Sequence, residues 1–256
     1  SLSMRALMNF DGERVTRLDG MKRVLTDFVM GNTEQGGTLP GRKGDLIGLI
    51  QFGGFAETVC PLVREYELLV EGARQMDYAA TQVDGGTAIG DAIALAAVRL
   101  RAAESEMARL QRETASGVLV QPDFEIASKA IILLTDGEEN RGTRSALEAA
   151  RLAEQWGIRV YPIFLGSASE IGAFRGQNAQ RILRGVAEIT GGKQFETTDG
   201  DGLLEIYAEI DKLEPTEIER VEFASYREWY RPFALAAGAL LLLDVLLGWT
   251  LLRRVA

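Results

Sequence analysis

Three short apolar runs constrain the fold most. Asp45–Phe52 reads DLIGLIQF, Lys129–Leu134 reads KAIILL and Ile158–Leu165 reads IRVYPIFL. None alternates between apolar and polar residues. A strand with one wet face alternates, whereas a strand covered on both faces is apolar throughout. Stretches of helical spacing follow and separate these runs. Arg17–Met30 places Leu18, Met21, Val24, Leu25, Phe28 and Val29 on one side. Glu65–Met76, Thr87–Gln111, Thr143–Trp156, Arg175–Thr190 and Gly202–Leu213 also read as helices. Phe55–Cys60 alternates and then meets Pro61, which suits an edge strand. Lys193–Glu196 is a short strand, and Glu113–Phe124 a loop or a frayed hairpin. The expected class is therefore α/β: a doubly wound, mostly parallel sheet with helices on both faces. Such sheets bind ligands beyond the carboxyl ends of their strands, so the polar residues there are the functional candidates.

Composition narrows the chemistry. The chain of 256 residues has no histidine and one cysteine. Ser-His-Asp and Cys-His catalysis, His-ligated zinc and thiolate clusters are excluded, and no internal disulfide can form. Lone Cys60 reads as a small buried hydrophobe. With 28 Lys+Arg against 37 Asp+Glu, the net charge of −9 argues against nucleic-acid binding. Carboxylates, hydroxyls, backbone groups and hard metals remain.

Three positions stand out. Asp136, in Thr135-Asp136-Gly137-Glu138-Glu139-Asn140, follows KAIILL directly, and either serves a site or caps the turn and the helix after it. Thr87, after Asp84-Gly85-Gly86, stands at a helix start, where it is a ligand or a plain N-cap. Ser1 and Ser3 are alternate residues whose hydroxyls can converge in an extended turn. The Asp84–Asp91 stretch is not a nucleotide motif: no Lys follows its glycines as in a P-loop, and the Rossmann spacing is absent.

The far end differs from the rest. Phe233–Leu252 (FALAAGALLLLDVLLGWTLL) is 20 residues with one charge, enough to cross a bilayer core of about 30 Å as a helix. Trp229, Tyr230 and Trp249 lie near its ends as interfacial aromatics would, and Arg253 and Arg254 follow it. Within it, Asp244 either meets a partner helix or reaches toward the interface.

Ser1-Leu2-Ser3-Met4, Gly86-Thr87-Ala88-Ile89-Gly90-Asp91 and Leu134-Thr135-Asp136-Gly137 together resemble the von Willebrand factor A family. That family builds a metal-ion-dependent adhesion site from D-x-S-x-S, a distant Thr and a distant Asp. The likeness spans the chain to about Leu213. GDLIGLIQFGGFAETVCPLVREYELL, TGGKQFETTDGDGLLEIYAEIDKLEPTEIE and the C-terminal apolar helix further resemble the membrane-anchored Bat group of bacterial aerotolerance-operon proteins, with BatA the nearest type. The motif Asp that would stand two residues before Ser1 is absent, as is the family's central first strand. The resemblance thus implies an N-terminally truncated Rossmann-like fold with its first strand missing, its neighbouring strand edges uncovered.

The resemblance implies the following expectations. Ser1, Ser3, Thr87 and Asp136 hold Mg²⁺ or Mn²⁺, weakly here for want of the first Asp, with Asp91 behind them unless it merely lies on the helix surface. Oxygen donors suit such hard ions. The ion engages an acidic side chain of a partner protein, and the chain is not an enzyme. Other Bat-type membrane proteins and a MoxR-type AAA+ ATPase are the implied partners. The domains are 1–213, a connector 214–231, a transmembrane helix 232–252 and a basic tail 253–256. Arg253 and Arg254 put the C-terminus in the cytoplasm and the domain in the periplasm, at the bacterial inner membrane. Two other classes stay open. One is a structural membrane scaffold with a silent metal site. The other is a Mg²⁺-dependent phosphoryl-transfer or hydrolytic enzyme using Asp136, Glu138 and Glu139, although those two glutamates read as solvated loop charges.

Overall fold

The structure is a computed structural model that describes residues 6–33, 37–77, 86–115, 128–137, 139–166, 173–215 and 236–242. The chain divides into two units, Ser1–Glu219 and Arg220–Ala256.

The first unit opens with a hairpin, β1 (Leu7–Phe10) and β2 (Glu13–Thr16). Asp11 and Gly12 both have positive φ, 52° and 76°, as a two-residue type I′ turn requires. Thr16 then caps α1 (Arg17–Met30) by accepting from the Asp19 amide. β3 (Ile47–Phe52) and β4 (Ala56–Val63) form an antiparallel pair, followed by α2 (Tyr66–Gln75). α3 (Ile89–Ala115) leads to β5 (Ala130–Thr135), α4 (Ala146–Gln155), β6 (Arg159–Leu165), α5 (Ala173–Thr190), β7 (Phe195–Thr197) and α6 (Gly200–Leu213). β5, β6 and β7 run parallel in that order.

Two apolar layers sandwich the strands. Ile131 and Leu133 of β5 and Val160 and Phe164 of β6 pack with α3, α4 and α5. Tyr161, Ile163 and Leu165, on the opposite face of β6, pack with α1, α6 and Phe10 of the hairpin. Burying one large aliphatic or aromatic side chain contributes about 1.5–3 kcal/mol, so these two layers hold most of the fold's stabilisation.

The sheet is interrupted. β3 pairs with β4 and β5 with β6, but the described residues hold no strand between β3 and β5. Burial follows the interruption. β6, flanked on both sides, buries six of its seven residues. β5, flanked on one side, leaves Ile132 and Leu134 half-buried, and β3 buries none of its residues fully. A cleft of about 880 Å³ opens between β3 and β5, floored by α1 and α3 side chains.

Several boundaries differ from the sequence reading. β4 continues through Pro61 to Val63, since an edge strand loses no ladder bond where its amide side is open. α3 runs on to Ala115, past the loop expected from Glu113. α4 begins at Ala146 rather than Thr143 because Ser145 and Glu148 form a capping box. The β1–β2 hairpin was not anticipated.

Among the described residues no helix is long and apolar enough to cross a membrane. In the second unit 236–242 are helical, and Leu240, Leu241 and Leu242 are exposed. Most of the expected span, with Asp244, lies outside the described residues.

Candidate functional site

The carboxyl ends of β3 and β5 meet the start of α3. The Ala88 amide donates to the Gly53 carbonyl, just past β3, at 2.7 Å. One residue earlier, Thr87 adjoins the turn after β5. A Cβ placed on Gly137 would stand 3.4 Å from the Thr87 Oγ1. Thr87 and Ala88 therefore span the open gap, and β3 and β5 point the same way.

Thr87 is fixed from both sides of its backbone. Its amide donates to Asn140 Oδ1 at 2.8 Å, and its carbonyl accepts from the Asn140 and Arg141 amides at 3.2 and 3.4 Å. The side chain is half-buried and is left to face the Gly137 turn. Asp136 is buried at 4% exposure, and Thr135, whose hydroxyl accepts from the Gly137 amide, at 1%. A carboxylate this buried needs positive or donor groups around it.

The surrounding loop is braced by two carboxylates. Asp91 accepts from the Thr143 and Arg144 amides at 2.9 and 3.1 Å. Glu139 accepts from the Gly90 amide at 2.9 Å and the Ala146 amide at 3.0 Å. It thereby satisfies orphan donors in the first turns of both α3 and α4, where a negative charge also complements the helix dipoles. Glu139 is thus no solvated loop charge: two helix starts converge on it. Asp91 is committed to the loop backbone rather than to open solvent. Gly90 allows this closeness, because a Cβ there would lie 2.1 Å from the Arg144 carbonyl oxygen.

Of the residues singled out in the sequence, the structure brings together Thr87 and the Asp136 turn, with Asp91 behind them. Ser1, Ser3 and Glu138 lie outside the described residues. The sequence reading missed Asn140 and the bridging role of Glu139. The only available signal was their position in the loop after β5, since their partners are far along the chain.

The donor chemistry suits a hard divalent cation. A Thr hydroxyl and a buried Asp carboxylate are oxygen ligands, and Mg²⁺ readily keeps water in its remaining positions. Among the described residues no three His, Cys, Asp or Glu side chains converge to hold an ion. A site here therefore depends on hydroxyl oxygens as well as Asp136.

The von Willebrand factor type A domain family matches residues 14–209. No curated protein matches the chain. An aerotolerance-related membrane protein from Bacteroides fragilis is similar in structure, with 21% identity, 84% of this chain and 95% of that chain covered, and a TM-score of 0.55. BatB from Bacteroides thetaiotaomicron gives 22% identity, 83% and 94% coverage and a TM-score of 0.54. The pilus adhesin SpaC from Lactobacillus rhamnosus GG, in an open conformation, gives 13% identity, 77% of this chain, 28% of that chain and a TM-score of 0.53. At these identities the structural likeness is one of fold.

Proposed function

The chain belongs to the von Willebrand factor type A domain family, and from that premise we propose that it is a protein-binding module that engages an acidic side chain of its partner through a divalent metal ion. The observation that carries this reading is Thr87, pinned by Asn140 and presented to the turn that follows buried Asp136. Thr87 and Asp136 hold the ion, Mg²⁺ or Mn²⁺, together with Ser1 and Ser3. When bound, the ion supplies an electrophilic centre. Neutral hydroxyl ligands leave its charge largely uncompensated, so a carboxylate from another protein is a favourable further ligand. Asp91 and Glu139 serve by holding the loop that carries Asn140. The role is binding, not turnover.

The wider reading places residues 1–213 as the binding domain, 214–231 as a connector and 232–252 as a membrane anchor. Twenty nearly uncharged residues are long enough for that anchor. Arg253 and Arg254 favour a cytoplasmic C-terminus and a periplasmic domain at the bacterial inner membrane. Asp244 is a contact for a neighbouring membrane helix. Bat-type proteins and a MoxR-type AAA+ ATPase are the partners this reading favours, on the sequence resemblance to the Bat group alone.

Water-proton relaxation with Mn²⁺ tests the reading. The full chain is loaded with Mn²⁺ and titrated with a short Glu-containing peptide. Loss of metal-bound water in the wild type, absent in Asp136→Ala, supports it. Relaxation that ignores the peptide in the wild type would sink it.

A further inference from the structure

Thr87 stands between two loops, and each presents one exposed side chain of different chemistry. On the β5 side, Arg141 follows Asn140, and its amide donates to the Thr87 carbonyl at 3.4 Å. Its side-chain stem lies across Gly86, where an added Cβ would collide with Arg141 Cγ. Only a residue without a side chain lets the stem lie flat beside Thr87. Arg141 is exposed. The two described carboxylates beside this loop are turned to backbone amides: Asp91 to those of Thr143 and Arg144, Glu139 to those of Gly90 and Ala146. Among the described residues no carboxylate pairs with Arg141.

On the β3 side, the Ala88 amide donates to the Gly53 carbonyl at 2.7 Å, and the Gly53 amide to the Phe55 carbonyl at 2.9 Å. The turn between β3 and β4 is thereby tied to the start of α3, and it leaves Phe55 51% exposed. Aromatic and Arg side chains are the residues that most often anchor a partner. Charge adds a requirement. At a net charge of −9 the chain as a whole repels an acidic partner, so local cations must select it.

We propose that the surface around Thr87 selects an extended acidic segment read at three alternate positions: a central carboxylate at the ion, a second carboxylate on Arg141, and an apolar side chain against Phe55. Alternate residues of an extended chain share one face and lie about 6.8 Å apart. The Arg141 and Phe55 loops lie on opposite sides of Thr87, so one face of such a segment serves all three. The guanidinium takes the second carboxylate through two parallel N–H donors. This partner chemistry rests on the metal reading of Thr87 and Asp136. The flanks specify side chains and not chain direction, so the segment is tested in both orders.

The test is fluorescence anisotropy of labelled peptides binding the full chain in saturating Mn²⁺. The peptides are Ser-Leu-Ser-Glu-Ser-Glu-Ser and its reverse, Ser-Glu-Ser-Glu-Ser-Leu-Ser. Replacing the outer Glu by Gln should weaken binding to the wild type about threefold and leave binding to Arg141→Gln unchanged. Replacing Leu by Ser should weaken binding to the wild type about threefold and leave binding to Phe55→Ala unchanged. Both variants keep the backbone amides, and their Mn²⁺ affinity, read by electron paramagnetic resonance, should not fall. No weakening in the wild type, or equal weakening in the variant, at either flank overturns the proposal and leaves the metal reading standing. No Mn²⁺ site, or peptide binding unchanged in Asp136→Ala, overturns both.

Discussion

At the scale of single residues, the account turns on close approaches that one atom can disturb. Gly90→Ala would place a methyl group against the Arg144 carbonyl oxygen, 2.1 Å away, where only backbone can yield. The start of α3 must then separate from the loop before α4, at a cost of about 1–3 kcal/mol. Urea denaturation should show that loss, and an unchanged midpoint would contradict the packing described. A second sensitive point is Tyr161, which donates to Glu214 Oε1 at 2.6 Å. Burial, and then this carboxylate, push the phenol up to about 12. Glu214 is only 2% exposed and also pairs with Arg159. Tyr161→Phe removes one of its donors inside the protein and should destabilise by roughly 1–3 kcal/mol. Stability equal to wild type would mean that Arg159 alone suffices. Lone Cys60 is buried at 5% exposure with its thiol pushed up by desolvation, as a small core hydrophobe should be.

At the scale of elements, the legible parts of the sequence are those whose signal is local. KAIILL and IRVYPIFL announce β5 and β6 because both faces of those strands meet helices. Arg17–Met30 was readable to the residue because Thr16 caps one end and Gly31, at φ 87°, closes the other. The β1–β2 hairpin was also locally written, in the Asp11-Gly12 turn between Phe10 and Glu13, with strands of only four residues each. The bridging carboxylate of Glu139 was not legible, since its amide partners Gly90 and Ala146 converge only after α3 and α4 pack together. For the same reason Asn140 gave no sign of holding Thr87. One element junction also predicts a pH effect. Glu104 on α3 accepts from Lys129, ahead of β5, and from Arg101. The Lys129 hydrogen bond foremost, with Arg101 second, holds its carboxyl below the ordinary 4.5. A lowered folded value stabilises the fold above the unfolded value and is lost as pH falls through the folded one. Glu104→Gln should therefore cost up to about 1 kcal/mol at neutral pH, modest because the carboxylate is one-third exposed. The difference from wild type should shrink as the pH falls below the unfolded value and through the lowered folded one, and a pH-independent difference would mean that charge is not its source.

At the scale of the molecule, the interruption between β3 and β5 and the candidate site are one feature seen from two directions. Thr87 and Asp136 both line the cleft. The doubly wound class was legible from the alternation of buried strands and helices. The approach of Thr87 to the turn after Asp136 was not legible, because it joins two segments far apart in the chain. The absence of His and the presence of one Cys leave oxygen donors as the ligands of the proposed site. The most direct measurement is Mn²⁺ binding to the full chain, followed by electron paramagnetic resonance, for wild type, Asp136→Ala and Thr87→Val. The account predicts one weak Mn²⁺ site in the wild type, at least tenfold weaker in each variant while the thermal midpoint stays within a few degrees. Mn²⁺ binding that is equal in all three proteins would contradict it.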